Sequence, residues 1–393
     1  MLNKQPGLHR RSVWVLMFES LSLEFVCRDL SSATENGPGT VAEDPAGDEA
    51  ASIRQAAWTS FDDLDIGSSF FEQYLIQDAR GGAKAAEILG GEEVLSRFQQ
   101  VLRQDGRLIA SVVVRATDQE TSVVKESLPL WTSELDDSVI HVSLKSSLGK
   151  QFSLSEQLMI LPGFREADLV WFDVQGLSSA DESERPETIL GEILELRRSV
   201  SPEPVEQPIL IVSSLRGSSR TVAPPFDGGC DEGLIHVPLW IDEGRGHSRR
   251  LQKLVGSFDL LPTLAEYLTG GPAVKPPGTP VDPDTPIETK AELQDAFRLA
   301  VGSRSLRPLL TGCDCGGDRL LRLVGDGWTA LRSQQYLLVS TESKDEDFGL
   351  TSSGLDRRQL YLKPDDSWNV NDSIVPYETV ADEMETVWRE HGV

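Results

Sequence analysis

Positive charge is scarce in this sequence: 37 Lys and Arg stand against 63 Asp and Glu in 393 residues, a formal charge of −26 at pH 7. Phosphate backbones and anionic lipids are bound through a Lys/Arg excess, so nucleic acid and membrane surfaces are excluded as first partners. Cysteine is scarce too. Four in this length cannot frame a disulfide scaffold, and only Cys313 and Cys315 lie close together. A structural zinc takes four ligands, and neither a second pair nor a His cluster accompanies them. Long apolar runs are missing: no segment approaches the roughly 20 residues of a membrane span. The run Val13 to Phe18 stops at Glu19, short of the roughly 7–15 residues of a signal-peptide core. It reads as a buried strand, and the expectation is a soluble, cytoplasmic protein.

Familiar site motifs are also absent. Gly81-Gly82 and Gly228-Gly229 lack the surroundings of a phosphate loop, and Ser213-Ser214 lacks the Gly-x-Ser-x-Gly elbow. Asp62 to Asp65 and Asp282 to Asp284 lack the alternating register of a calcium loop and read as solvated turns. The histidines His141, His236 and His247 have no acid or nucleophile placed beside them in sequence, so they read as structural or solvated.

What is present is a globular pattern, with 39% hydrophobic and 25% charged residues. Short β-branched runs at 13–18, 108–114, 139–144, 169–174 and 209–213 alternate with amphipathic stretches. That alternation is the signature of a mostly parallel sheet covered by helices. Glu92 to Gln104 carries Leu95, Phe98, Val101 and Leu102 on one face; Glu187 to Arg198 carries Ile189, Leu190, Ile193 and Leu194 and ends on two arginines. Residues 31–56 and 271–290 are rich in Pro, Gly and acids and predict surface insertions, as do the acidic loop 178–186 and the charged tip 344–347. After about residue 313 the pattern changes to short strands, over 328–340 and 359–363, followed by an amphipathic segment from Tyr377 to Trp388. The chain therefore divides into an α/β domain over 1–312 and a small sheet-plus-helix subdomain over 313–393.

Four segments in the second half carry a resemblance. Glu232-Gly-Leu-Ile-His-Val-Pro-Leu-Trp-Ile241 is similar to a Glu-Gly-x-x-Arg-Val-Pro-Leu-Ile-Val strand. Leu254 to Gly270 contains Val-Gly-Ser-Phe-Asp-Leu-Leu-Pro-Thr-Leu and reads as a helix, with Pro262 tolerated in its first turn, Leu261, Leu264, Ala265 and Leu268 on its buried face, and Gly270 as its cap. Gly302 to Gly312 and Gln359 to Asn371 complete the set in the same order. The sequence resembles the sulfatase branch of the alkaline-phosphatase-like superfamily, strongly from about residue 208 and loosely before it, where Val13 to Leu21, Ser69 to Tyr74 and Gln104 to Arg107 take the places of early family elements. The resemblance implies a three-layer α/β/α sandwich with a mostly parallel central sheet, plus a small C-terminal α+β subdomain.

The family's chemistry implies a formylglycine made from Cys or Ser in Cys/Ser-x-Pro-Ser-Arg, and a divalent cation such as Ca²⁺ held by carboxylates and an amide. Set against that pattern, the opening Asp-Asp pair falls on Glu19-Ser20, and the nucleophile segment falls on Arg80-Gly-Gly-Ala-Lys84 with Arg80, or Gly81 on a one-residue slip, at the reacting position. No Cys/Ser-x-Pro-x-Arg occurs anywhere in the chain. The Gly-Lys-Trp-His element falls on Val113 to Ala116, the Asp-His-Gly element on Leu215-Arg216-Gly217, and the late lysine near Asp227; Asp173 to Ser179 offers no His. Glu19, Ser20, Lys84, Ser214, Arg216 and Asp227 are thus the residues of a degenerate pocket, with no metal ligand set or cofactor retained. The leading expectation is a pseudoenzyme that binds an unknown protein or small-molecule ligand, without nucleic acid or membrane. The alternatives are an active sulfuric- or phosphoric-ester hydrolase with a rebuilt site, and a scaffold subunit marked by an exposed apolar patch.

Overall fold

The computed structural model describes residues 11–21, 61, 63–65, 67–80, 85–91, 94–95, 98–99, 102, 105–115, 139–145, 158–159, 164–175, 185–217, 230–269, 303–313, 319–341, 357–366 and 369–391. The run at 13–18 forms β1 (Val13–Phe18), and every one of its side chains is buried. Burial on both faces requires a central strand, and β1 lies between two parallel neighbours, β5 (Leu169–Gln175) and β6 (Ile209–Ser214). Outward from β5 come β3 (Ile109–Arg115) and β4 (Val139–Lys145), also parallel. Outward from β6 come β7 (Trp240–Asp242), which runs antiparallel, then β2 (Ser69–Leu75) and, parallel to β2, β8 (Arg249–Gly256). Among the described residues the sheet has eight strands.

Successive strand residues point to opposite faces, so β1 feeds two cores. Val13, Val15 and Met17 join the cluster that includes α4 (Leu260–Thr269) and the buried Leu95, Phe98 and Leu102; Trp14, Leu16 and Phe18 join the cluster under α2 (Arg185–Val200). Helices on both faces of one sheet make three layers. Each fully buried Leu, Ile or Phe contributes about 1.5–3 kcal/mol, which is why these two apolar faces specify the strand register.

A second, four-stranded antiparallel sheet follows, in the order β12 (Arg357–Leu362), β11 (Tyr336–Thr341), β10 (Trp328–Arg332), β9 (Leu321–Gly325). One face, with Leu321, Leu323, Trp328 and Val339, packs on Leu75, Ile235 and Leu254 of the larger domain. The other face is covered by α6 (Glu378–His391) through Ala381 and Met384. Ala79 N–H to Val324 O at 2.7 Å and Val324 N–H to Gln77 O at 2.9 Å stitch β9 to the chain leaving β2.

Several sequence expectations shift. Within 232–241, read as one strand, Glu232–Ile235 forms the short helix α3 and only Trp240–Asp242 is strand. In the Leu254–Gly270 segment the helix starts at Leu260, with Pro262 in its first turn as read, and it is preceded by β8 and a 3₁₀ turn over Ser257–Asp259. Asp63 and Asp65 sit in helical backbone rather than a turn, bonded to Arg198 at 2.7 Å and to Trp240 Nε1 at 2.9 Å, with buried Leu64 between them holding that helix on the core. The insertions at 31–56 and 271–290, Asp282 to Asp284 and Cys315 lie outside the described residues. No helix among the described residues is long and apolar enough to cross a membrane.

Candidate functional site

Open α/β sheets present their ligands at the carboxyl ends of the strands. Here β1 and β6 end side by side, and their continuations carry four of the six residues picked out from sequence. Backbone bonds hold them together: Glu19 N–H to Val174 O at 2.9 Å, Leu215 N–H to Phe18 O at 2.8 Å and Leu21 N–H to Arg216 O at 3.1 Å. Glu19, Ser20, Ser214 and Arg216 therefore share one edge. Lys84 and Asp227 lie outside the described residues.

The local chemistry is mostly consumed by the backbone. Ser214 is buried, and its hydroxyl lies 3.2 Å from Phe18 O and 2.5 Å from Arg216 O while accepting the Arg216 N–H at 3.3 Å. That arrangement closes a Ser turn at the end of β6 and leaves the oxygen without an approach path. Ser20 Oγ donates to Gly217 O at 3.3 Å, and Ser213 Oγ to Pro238 O at 3.0 Å. Next to β1, Asp173 accepts from Gln175 Nε2 at 2.7 Å. At the end of β2, Arg80 folds back on Asp78, with Nε 2.9 Å from Oδ1 and Nη2 2.5 Å from Oδ2. Hydrogen bonding to that carboxylate pushes the Arg80 pKa further up.

A hard divalent cation takes six or more oxygen ligands. The described residues at the β1/β6 edge and the adjoining end of β5 supply two carboxylates, Glu19 and Asp173, the latter bonded to Gln175, two hydroxyls already engaged with carbonyls, and a guanidinium. This donor set does not fit the cation. Among the described residues no group of three or more His, Cys, Asp or Glu is gathered where it could hold a metal.

Gly217 has a packing reason to be there. A Cβ at this position would lie 1.8 Å from Gly233 O, because Gly217 N–H donates to Leu234 O at 2.9 Å and draws the two segments together. Gly217→Ala is expected to lower stability by about 3 kcal/mol, the upper range for overpacking against atoms that cannot move aside. Its urea midpoint, compared with that of Ala at the unobstructed Gly67, checks this.

The acids of the two strongest sequence motifs are engaged by cations from later in the chain. Asp259 is fully buried and is gripped by Arg319 through both carboxylate oxygens, while it also accepts Gly256 N–H at 2.9 Å and Arg304 N–H at 2.8 Å. Glu232 pairs with Lys363, whose side chain is completely buried and also donates to Asn369 Oδ1 at 2.6 Å; Asn369 in turn donates to Cys230 O at 2.9 Å. Burial lowers the Lys363 pKa and brings that of the neighbouring Arg332 down to about 10, while Glu232 counteracts both shifts. His236 belongs here as well: its Nε2 meets Glu72 O at 2.7 Å, and burial lowers its pKa. Sequence reading singled out Glu232 and Asp259 as motif members and included Lys363 in the Gln359–Asn371 segment, but it paired neither acid with its cation, 131 and 60 residues away.

Neither a protein-family model nor a curated protein matches the sequence. Solved structures match along nearly its whole length. A 6S-sulf protein of the glycosaminoglycan-metabolism locus of Bacteroides thetaiotaomicron is 12% identical with a TM-score of 0.56, over 98% of this chain and 99% of that one. A phosphonate monoester hydrolase from Silicibacter pomeroyi is 12% identical with a TM-score of 0.53, over 97% and 94%. A protein in the alkaline phosphatase superfamily from Vibrio parahaemolyticus is 11% identical with a TM-score of 0.52, over 97% and 88%. With its eight-stranded mixed sheet, two covering layers and a separate antiparallel sheet, the chain has the fold of the alkaline phosphatase superfamily and its sulfatases.

Proposed function

We propose that this protein is a sulfatase-fold pseudoenzyme: it keeps the scaffold, performs no metal-dependent ester hydrolysis, and serves by binding a protein or small-molecule ligand. The observation that carries the reading is the closure of the β1/β6 edge. Ester hydrolysis in this fold needs a nucleophile, a cation to bear the developing charge and an acid for the leaving group. Ser214 is locked to Phe18 and Arg216 backbone carbonyls, Arg80 is paired with Asp78, and of the two carboxylates that the described residues bring there, Glu19 and Asp173, the second accepts from Gln175. A guanidinium such as Arg216 can hold an anionic group but cannot attack it or bind a metal.

Purified protein incubated with aryl sulfates, phosphate monoesters and phosphonate monoesters, with and without Ca²⁺, Mg²⁺, Mn²⁺ or Zn²⁺, is expected to show no turnover above the rate of an identically prepared blank. Turnover that survives a change of expression host and falls at least about a hundredfold in Glu19→Gln, the scale of a lost general acid or base, would establish the rebuilt hydrolase instead.

A further inference from the structure

At the opposite edge of the large sheet, a separate cleft opens between the start of β2, the end of β7 and the start of β8. It is lined by Ser69, Glu243, Arg245, His247 and Arg249 and floored by Ile241 and Leu310. Since β1 is six residues long, this cleft lies about 20 Å from Glu19 and Arg216, at about 3.3 Å per strand residue. It is a different site.

Its charge is unbalanced in a way that is uncommon in so acidic a chain. Glu243 is spoken for: it pairs with Arg245 at 3.2 Å and accepts the Tyr267 hydroxyl at 3.0 Å. Neighbouring cations have their own acids, with Arg250 on Asp65 and Glu72 and Arg307 on Glu266. Among the described residues the Arg249 side chain meets no acid; its hydrogen bond runs from Nη1 to Leu310 O at 2.9 Å. His247 is exposed and has no partner among the described residues. Among the described residues the cleft therefore presents the remaining N–H groups of Arg249, the outer face of Arg245, an imidazole and a serine hydroxyl, with two guanidinium groups against the one carboxylate of Glu243.

From this we propose that the cleft binds a small tetrahedral oxyanion, a phosphoryl or sulfuryl group carried as the head of a larger ligand or free in solution. Guanidinium forks match such oxygens in geometry and charge. Size selects the head group alone: the cavity is about 50 Å³, whereas pockets that enclose a whole small molecule run to about 300–1,000 Å³. The apolar floor lowers the local dielectric and strengthens each charged contact. The proposal does not depend on the assignment of the β1/β6 edge.

Isothermal titration of the full chain with inorganic phosphate, sulfate and acetate tests it. Phosphate and sulfate are expected to bind with 1:1 stoichiometry, more tightly than acetate and more weakly as NaCl is added. Arg249→Met should weaken binding about tenfold or more, the loss of one charge-assisted contact, with smaller losses in Arg245→Gln and His247→Ala; Arg198→Met, an exposed pair elsewhere, should leave it unchanged. The two milder variants are on the surface, so the test stands even if Arg249→Met fails to fold. Absence of binding, equal binding of acetate, or binding retained in Arg249→Met and lost in Arg216→Met would each overturn the proposal.

Discussion

Asp259→Asn is expected to destabilise the protein by about 3–5 kcal/mol, the cost of removing one partner from a buried ion pair. The carboxylate is fully buried, and the Arg319 side chain that grips it is 9% exposed. With Asn in its place the guanidinium loses its counter-charge, and one of the two acceptor oxygens that hold Gly256 N–H and Arg304 N–H becomes a donor. The damage spreads beyond the pair, because the same turn orders Thr263. Its hydroxyl donates to Asp259 O at 2.6 Å and accepts Leu306 N–H at 2.9 Å, tying α4 to the segment that precedes α5 (Arg307–Leu310). Urea denaturation followed by tryptophan fluorescence should show a lower midpoint for Asp259→Asn. Arg319→Met, which removes the cation and supplies an apolar side chain of similar length, should partly rescue the Asn variant. A midpoint within error of wild type for Asp259→Asn alone would mean that the clamp is replaceable by water.

Glu232→Gln carries the second large effect. Lys363 and Arg332 are both buried, and both have pKa values lowered by burial and held up in part by Glu232. Neutralising that one carboxylate leaves two buried cations without their shared counter-charge, so a loss of about 3–5 kcal/mol is expected. The small sheet should be affected first, since Glu232 sits on α3 of the large domain and Lys363 follows β12 of the small sheet. Amide exchange should therefore accelerate in β10 to β12 before it does in β1, β5 or β6. Lys363→Met is expected to be much milder, because a buried cation replaced by a similar apolar chain removes its own desolvation cost. Equal losses for Glu232→Gln and Lys363→Met would argue against this division of roles.

The central strands were legible because burial on both faces leaves no choice of residue. Val13 to Phe18, Leu169 to Val174 and Ile209 to Val212 are nearly unbroken apolar runs, and each is a middle strand of the large sheet. The helix over Glu187 to Arg198 was legible from its 3.6-residue period and extends to Arg185–Val200. By contrast, β8 begins Arg249-Arg-Leu-Gln-Lys and stands at the sheet edge with its first half exposed. An edge strand is bound on one side only and can carry charge there, which hides it from an apolar-run criterion. Three-residue β7 is a strand only because β6 and β2 each offer it a backbone to bond.

The β1/β6 edge was legible in part. Glu19 and Ser20 follow one strand and Ser214 and Arg216 another, and parallel pairing of neighbours brings the four together. What their side chains do there was not legible: the Ser214 turn arises from where the Phe18 and Arg216 carbonyls point once the strands are in register. The cleft of Arg245, His247 and Arg249 was invisible for the same reason, since Ser69 and Leu310 reach it from distant parts of the chain.

By itself, then, the amino-acid sequence determined the alternation of buried strands and amphipathic helices, and it determined that no Cys/Ser-x-Pro-x-Arg exists to be converted. Periodicity and composition are local properties, and they survive without a partner. The tertiary structure alone decided which charges meet. Asp259 finds Arg319 and Glu232 finds Lys363 only after the second sheet has docked. A buried charge is tolerable only beside its counter-charge, and that juxtaposition is a property of the folded chain, not of any segment within it.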